Sequence, residues 1–282
     1  VLYVGTCGYS YPDWVGTFYP PTTKQREMLR LYARRFPAVE IDATYYRIAS
    51  PKTFETMART TPEGFRFTAK LPGSLTHLAA PAEARLEDAR YFRESIEPLI
   101  AFGKLGCVLM QFPHGFHPNR TTLAHIRRLR ETLADLPLVA EFRNDRWQNS
   151  ETLRFLAELE IGWCNVDQPQ FQGLLRPSAD TTSAIGYVRF HGRNARMWWK
   201  HEHRDERYDY LYSIEELEPW AGRVAELAAD ANVREVYAFF NNHRRGQAPR
   251  NAEQFAALLR SLAVGRIARA ADEPPAEQLR LI

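Results

Sequence analysis

Lysine is scarce in this chain. It stands at five positions, Lys24, Lys52, Lys70, Lys104 and Lys200, and arginine supplies nearly all the remaining positive charge. Base composition of a genome accounts for such a bias without any ligand, so position rather than number has to identify functional arginines. Charge of one sign is lacking too: the net charge is only +3, which excludes a strongly basic tail or face as an argument for nucleic acid. The three cysteines, Cys7, Cys107 and Cys164, lie far apart in apolar surroundings with no CxxC spacing. That excludes a disulfide framework or a cysteine-based zinc site and leaves buried free thiols in a reducing compartment as the expectation. No apolar run approaches the roughly 20 residues of a membrane span, and the opening "VLYVG" has no charged segment leading into an apolar one. The reading is a cytoplasmic protein with no membrane partner. Repeats and low-complexity tracts are lacking as well.

What is there is a chain of 282 residues, 45% of them apolar, enough to bury a sizeable core. Eight short runs are apolar and rich in β-branched or aromatic residues: "LYVGT", "AVEID", "FRFTAK", "GCVLMQF", "LVAEF", "IGWCNV", "AIGYVRFH" and "EVYAFFN". Helical patterns separate most of them. Leu123, Ile126, Leu129 and Leu133 recur at helical spacing after Asn119, as do Phe255, Leu258, Leu259 and Leu262 after Asn251, which is read as the cap of the last helix. Ser50 before Pro51, Ser150 before "ETLRFLAEL", and Ser213 with Glu216 are start signals. Strands apolar throughout and alternating with helices predict an α/β fold, a closed parallel (β/α)8 barrel of the TIM type, with a doubly wound open sheet as the alternative. The stretch from Asp167 to Ile185 lacks helical periodicity, so the sixth helix is expected to be short or missing. The domain reading is a single barrel over residues 1–263 and a tail over 264–282 packed loosely outside.

In a parallel barrel the loops after the strands form one face, where functional groups gather. Here the strand ends read Thr6, Glu40 with Asp42 and Tyr46, Lys70, Gln111, Glu141 with Arg143, Asp167, Arg189 with His191, and Asn241, Asn242 and His243. All eight are polar. Strand alternation puts Glu40 with Asp42, Arg189 with His191, and Asn241 with His243 on common faces. A mutually satisfied buried ion network is the structural alternative to a ligand site.

The motifs "GTCGYSYPDW", "FYPP", "VEIDATYYR", "FTAKLPGSLTH", "LMQFP", "AEFRNDRW", "VRFHGR", "YDYLYS" and "FFNNHRRGQAPRNA" span Gly5 to Ala252 and resemble the YecE-like family, the domain of unknown function seventy-two. The resemblance implies a TIM-like barrel and no assigned activity. Tyr9 departs from it, standing where members often have tryptophan.

The chemistry read from these residues is an anionic, phosphate-bearing or nucleotide-like substrate handled by acid/base catalysis at the mouth. Loops seven and eight carry Arg193, Arg196, Lys200, Arg244, Arg245 and Arg250, and Gly192 and Gly246 would let backbone amides approach an anion. Glu40 or Glu141 is the expected general base, Lys70 and Arg189 would stabilise negative charge, and His191 would donate a proton. Tyr9, Trp14, Tyr46 and Trp147, with Gln111, Arg143, Asp167, Asn241, Asn242 and His243, complete the predicted binding set. Stacking aromatics beside arginines also keep nucleic acid as a candidate partner. No cofactor or metal is assigned, although Glu40, Glu141, Asp167, His191 and His243 are the residues a metal-dependent hydrolase would use. A glycoside hydrolase pairing Glu40 with Glu141 and a non-catalytic binder of an anionic metabolite are the remaining alternatives. Lys70 as a Schiff-base lysine is weighed against an ordinary salt bridge to Glu40 or Glu141.

Overall fold

The computed structural model describes residues 1–77 and 82–271, without the side chains of residues 82–84 and 204. Eight strands close into one parallel barrel in sequence order: β1 (Leu2–Cys7), β2 (Ala38–Ile41), β3 (Arg66–Lys70), β4 (Leu105–Gln111), β5 (Leu138–Glu141), β6 (Ile161–Asp167), β7 (Ile185–Phe190) and β8 (Glu235–Phe240). β8 returns to β1, with Leu2 opposite Val236 and Thr6 opposite Phe240. Nearly every strand residue is buried because helices cover the outer face and side chains fill the interior, which is why the strands read as continuous apolar runs.

The helices are α1 (Gln25–Arg35), α2 (Pro51–Thr60), the single turn α3 (Gly73–Thr76), α4 (Ala82–Ala101), α5 (Arg120–Thr132), α6 (Ser150–Glu158), α7 (Ile214–Ala229) and α8 (Gln247–Ser261). Ser213 and Glu216 form the capping box of α7, and Asn119 caps α5 through the backbone N–H groups of Thr121 and Thr122. The cap of α6 is Asn149 rather than Ser150: its side chain accepts the Thr152 N–H and leaves Ser150 inside the first turn. Asn251 is not the start of α8. The helix begins four residues earlier, after Gly246 at φ 71°, and Pro249 fits its first turn because no partner is needed there for a backbone N–H. Buried Asn251 instead holds the segment before α7: Oδ1 accepts the Tyr212 N–H at 3.0 Å and Nδ2 donates to the Tyr212 carbonyl at 2.9 Å.

No helix lies between β6 and β7. That segment is tied down by side chains, with Asn165 Oδ1 accepting from Ser178 and from the Asp180 N–H, and Thr182 donating to the Ile161 carbonyl. Backbone groups with such partners need no helix to satisfy them. After α8 the chain runs beside β1, where Leu2 donates to the Arg266 carbonyl and Ala268 to that of Leu2. The rest of the predicted tail, 272–282, lies outside the described residues. Among the described residues no helix is long and apolar enough to cross a membrane.

Candidate functional site at the barrel mouth

The interior of the barrel near its C-terminal face is polar and organised around one guanidinium. Arg189, fully buried at the end of β7, places Nη2 2.5 Å from Glu40 Oε1 and Nη1 2.6 Å from Glu141 Oε2. Nη2 also lies 3.3 Å from Asp42 Oδ1 and 3.5 Å from the Cys7 sulfur. Glu40 accepts a second bond from the Tyr187 hydroxyl at 2.6 Å, and that hydroxyl pairs with Thr68. Glu141 Oε1 faces Arg143 Nε at 2.7 Å and His191 Nε2 at 3.1 Å, while His191 Nδ1 lies 3.0 Å from the Asn241 amide nitrogen. The strand period delivers this arrangement, because residues two apart, Glu40 and Asp42 or Arg189 and His191, face the same interior.

Above this network opens a cavity of about 450 Å³, within the range of small-molecule sites. Asp42, Lys70, Gln111, Arg143, Arg189 and Asn241 form its polar base. Tyr45, Tyr46, Trp198, Trp199 and Tyr208 supply an aromatic rim with His77, His114 and His243. Tyr46 and Trp199 are 71% and 56% exposed, large apolar surface left open at the mouth. Asp205 and Arg207 reach over the opening from the segment between β7 and α7.

Burial and neighbours set the charges. Burial raises Glu40 above its ordinary range against the opposing pull of Arg189. Burial would raise Asp42 as well, but Lys70 and Arg189 outweigh it and hold that carboxyl low. For Glu141, Arg143, Arg189 and His191 overcome burial and keep it ionised. His191 is pushed down to about 3, first by burial and then by Arg143, so its imidazole is neutral at physiological pH. A neutral ring that donates from Nε2 to Glu141 accepts at Nδ1 from Asn241, which commits both nitrogens.

The family described as "Protein of unknown function DUF72" matches residues 3–278. The chain belongs to the DUF72 family. UPF0759 protein YunF of Bacillus subtilis (strain 168) is 33% identical over 275 residues, which cover 92% of this chain and 95% of that protein. A DUF72 family protein of Thermotoga maritima MSB8 of solved structure is 42% identical with a TM-score of 0.84, covering 92% of this chain and 99% of that one. A DUF72 family protein of Enterococcus faecalis V583 is 28% identical with a TM-score of 0.81, covering 92% of this chain and 96% of that one. The DUF72 description carries no activity, so the chemistry rests on the cavity itself.

The predicted residues divide sharply in this DUF72 barrel. Lys70, Gln111, Arg143, Arg189, Asn241, His243 and Tyr46 line the cavity, while Glu40, Glu141 and His191 lie behind its base. His191 therefore has no proton to give a ligand in the cavity, and Glu40 and Glu141 clasp one guanidinium from two sides instead of flanking a cleft as a glycosidase pair would. Asp167 does not join them: it accepts from Tyr212, from Trp220 Nε1 at 2.6 Å, and from Arg193 in a forked pair. Trp147 is buried with its indole donating to the Phe116 carbonyl and its face stacked on Phe142. Trp14 likewise donates to the His243 carbonyl, and Tyr9 contributes to a separate small groove beside α2. Asn242 turns outward to Asn251.

Two arginines of the last two loops are paired with acids of the same region: Arg193 with Asp167 and Glu216, Arg244 with Asp209. The Gly192 N–H is spent on the Tyr212 hydroxyl, and its φ of 82° serves the turn, where a Cβ would meet Tyr210 at 2.9 Å. Lys70 and Arg143, at the ends of β3 and β5, line the cavity instead of these two loop arginines. Cavity residues outside the predicted set include His114 and Asp42, and the spacing of Asp42 from Glu40 was the available signal.

The residues named for the metal-dependent alternative do not come together as a ligand set, because Asp167 and both nitrogens of His191 are held in other hydrogen bonds. Among the described residues Cys7, Glu40 and Asp42 bring ligand atoms within 4.8 Å of one another. Arg189 Nη2 already stands against all three, and burial pushes the Cys7 thiol up, away from the thiolate form that binds metals.

Proposed function

We propose that the mouth of the barrel binds a small anionic molecule, phosphate-bearing or carboxylate-bearing, and that Asp42 and Lys70 are the groups that act on it. The observation that carries this is unused donor capacity. Arg143 spends Nε on Glu141, and its two terminal nitrogens have no protein partner among the described residues. Lys70 Nζ has none within hydrogen-bond distance, its nearest carboxylate oxygen being Asp42 Oδ1 at 3.6 Å. Gln111 stands on the strand between them. Buried or half-buried donors left unmet in an open cavity are matched by ligand oxygens, and an arginine fork suits a phosphate or carboxylate. Arg207 adds a cation from above, bonded to His201 Nε2 at 2.8 Å and to no carboxylate among the described residues. The aromatic rim would take the uncharged part of the ligand, a sugar or a base, by stacking. Asp42 and Lys70 side by side distinguish this cavity from one that needs only cations to hold an anion.

The test is calorimetric titration with inorganic phosphate and ribose 5-phosphate, with mass spectrometry of any ligand retained through purification. Arg143→Met is expected to weaken binding by roughly 1.5–3 kcal/mol, the worth of a charged hydrogen-bonded contact. Equal affinity in the variant, or a retained uncharged sugar, would overturn the reading.

A further inference from the structure

In a chain that uses arginine almost everywhere, two of the five lysines are buried, and they are used differently. Lys104 has an ordinary structural role. Its Nζ donates to the Ala58 carbonyl at 2.6 Å, the Thr61 carbonyl at 2.7 Å and the Thr61 hydroxyl at 2.9 Å, closing the C-terminal end of α2. All three ammonium donors are satisfied. Lys70 has no such set. It faces the cavity with the centre of the Tyr45 ring 4.4 Å from Nζ and, among the described residues, one carboxylate, Asp42, at 3.6 Å. Nor is it needed to neutralise Glu40 or Glu141, since Arg189 and Arg143 hold both. The ion pairs of Glu40 and Glu141 are made by arginines, and Lys70 is left with the 3.6 Å pair to Asp42.

A guanidinium cannot lose its proton and an amine can, so lysine and arginine are not interchangeable where the side chain must become a nucleophile. We propose that Lys70 is a covalent catalytic residue that forms an imine with an aldehyde or ketone carried by the anionic ligand. The proposal rests on the anion-binding reading for how that ligand is held. In the step, Asp42 takes one proton from the Lys70 ammonium, and the nitrogen lone pair attacks the carbonyl carbon while the C=O π electrons move to oxygen. The resulting carbinolamine loses its oxygen as water, drawing one proton from Asp42 and one from the nitrogen as the C=N bond forms. The balance is ammonium plus carbonyl giving iminium plus water, with no oxidant or further reactant. Arg143, across β4 from the lysine in the same cavity, would hold the ligand's anionic group.

The experiment uses the wild-type protein with glyceraldehyde 3-phosphate or uncharged glyceraldehyde in the presence of cyanoborohydride, which reduces an imine to a stable amine. Intact mass and peptide mapping read the adduct. One adduct per chain is expected, mapping to Lys70. It should form roughly tenfold or more faster than on the exposed Lys24, Lys52 and Lys200, because a held carbonyl beside one amine reacts as a neighbour and not by chance encounter. Inorganic phosphate should slow labelling by the phosphorylated probe, and Lys70→Arg should abolish the adduct while leaving surface labelling unchanged. Label confined to surface amines overturns the proposal. If phosphate binds by calorimetry and Lys70 stays unlabelled, the imine fails and anion binding stands; if both aldehydes label Lys70 equally and phosphate has no effect, the amine is nucleophilic and the anion reading fails.

Discussion

Replacing Arg189 by methionine removes the one group shared by both carboxylates behind the cavity, and the structure sets the size and pH dependence of the loss. Glu141 keeps Arg143 at 2.7 Å and His191 at 3.1 Å. Glu40 keeps the Tyr187 hydroxyl and the Cys7 thiol but no cation, and becomes a buried carboxylate without a counter-charge. It can escape by binding a proton, which at pH 7 costs about 1.36 kcal/mol for each pH unit above its ordinary value of 4.5, or about 3.4 kcal/mol in all. With packing losses, Arg189→Met should cost about 3–5 kcal/mol, a fall in Tm on the order of 10 °C for a domain of this size. The sign with pH follows from Glu40 having a folded pKa raised above its unfolded one: its contribution is intact below pH 4.5 and is lost as pH rises through the folded value. The deficit of the variant against wild type should therefore shrink to about 1–3 kcal/mol at pH 5.5. Adding Glu40→Gln should recover about 2–3 kcal/mol at pH 7 and remove that pH dependence. Urea unfolding of the three proteins at both pH values measures this. A deficit that grows on acidification, or a double variant no more stable than the single one, would refute the account of Glu40 as the orphaned charge.

Two further expectations follow from the same geometry. His191 is neutral in the fold with a pKa of about 3, below the ordinary 6.5, so its contribution is present above pH 6.5 and is lost as pH falls toward the folded value; His191→Gln should lessen the acid-side slope of stability between pH 6.5 and 4.5 by roughly 1.4 kcal/mol per pH unit, and an unchanged slope in urea unfolding would show that His191 is not the titrating group. Trp147→Phe, which deletes the indole bond to Phe116, should lower stability by about 1–2 kcal/mol and leave phosphate affinity unchanged, whereas Trp199→Ala at the open rim should spare stability and weaken ribose 5-phosphate more than inorganic phosphate. The reverse pattern in calorimetry and thermal unfolding would undo the division of aromatics into core and rim.

How far the site could be read from the sequence follows from where regular structure stops. Within a strand the side-chain period is two, so the common faces of Glu40 with Asp42 and of Arg189 with His191 were readable, and their meeting at one guanidinium required only that the barrel close. The phase of a strand against the barrel axis is another matter. Asp167 ends β6 much as Glu141 ends β5, yet it faces Trp220 of α7 and not the interior. Beyond the strand ends no period operates. Loop arginines such as Arg193 and Arg244 looked like anion ligands because the acids that neutralise them, Asp167, Glu216 and Asp209, lie as many as 35 residues away from them in the chain.

By itself the sequence determined the parallel barrel, a helix after β6 that would be short or missing, the buried thiols and the polar crown on every strand. These are local consequences of apolar runs, helical spacing and capping side chains, which act between near neighbours in the chain. Only the tertiary structure decided which polar groups satisfy one another and which remain for a ligand. That choice depends on distances set by closure: Arg189 takes Glu40 and Glu141, His191 is spent between Glu141 and Asn241, and Lys70, Arg143 and Asp42 are left facing the cavity. A buried charge is costly until it is paired, so the pairing made within the fold determines what chemistry remains at its mouth.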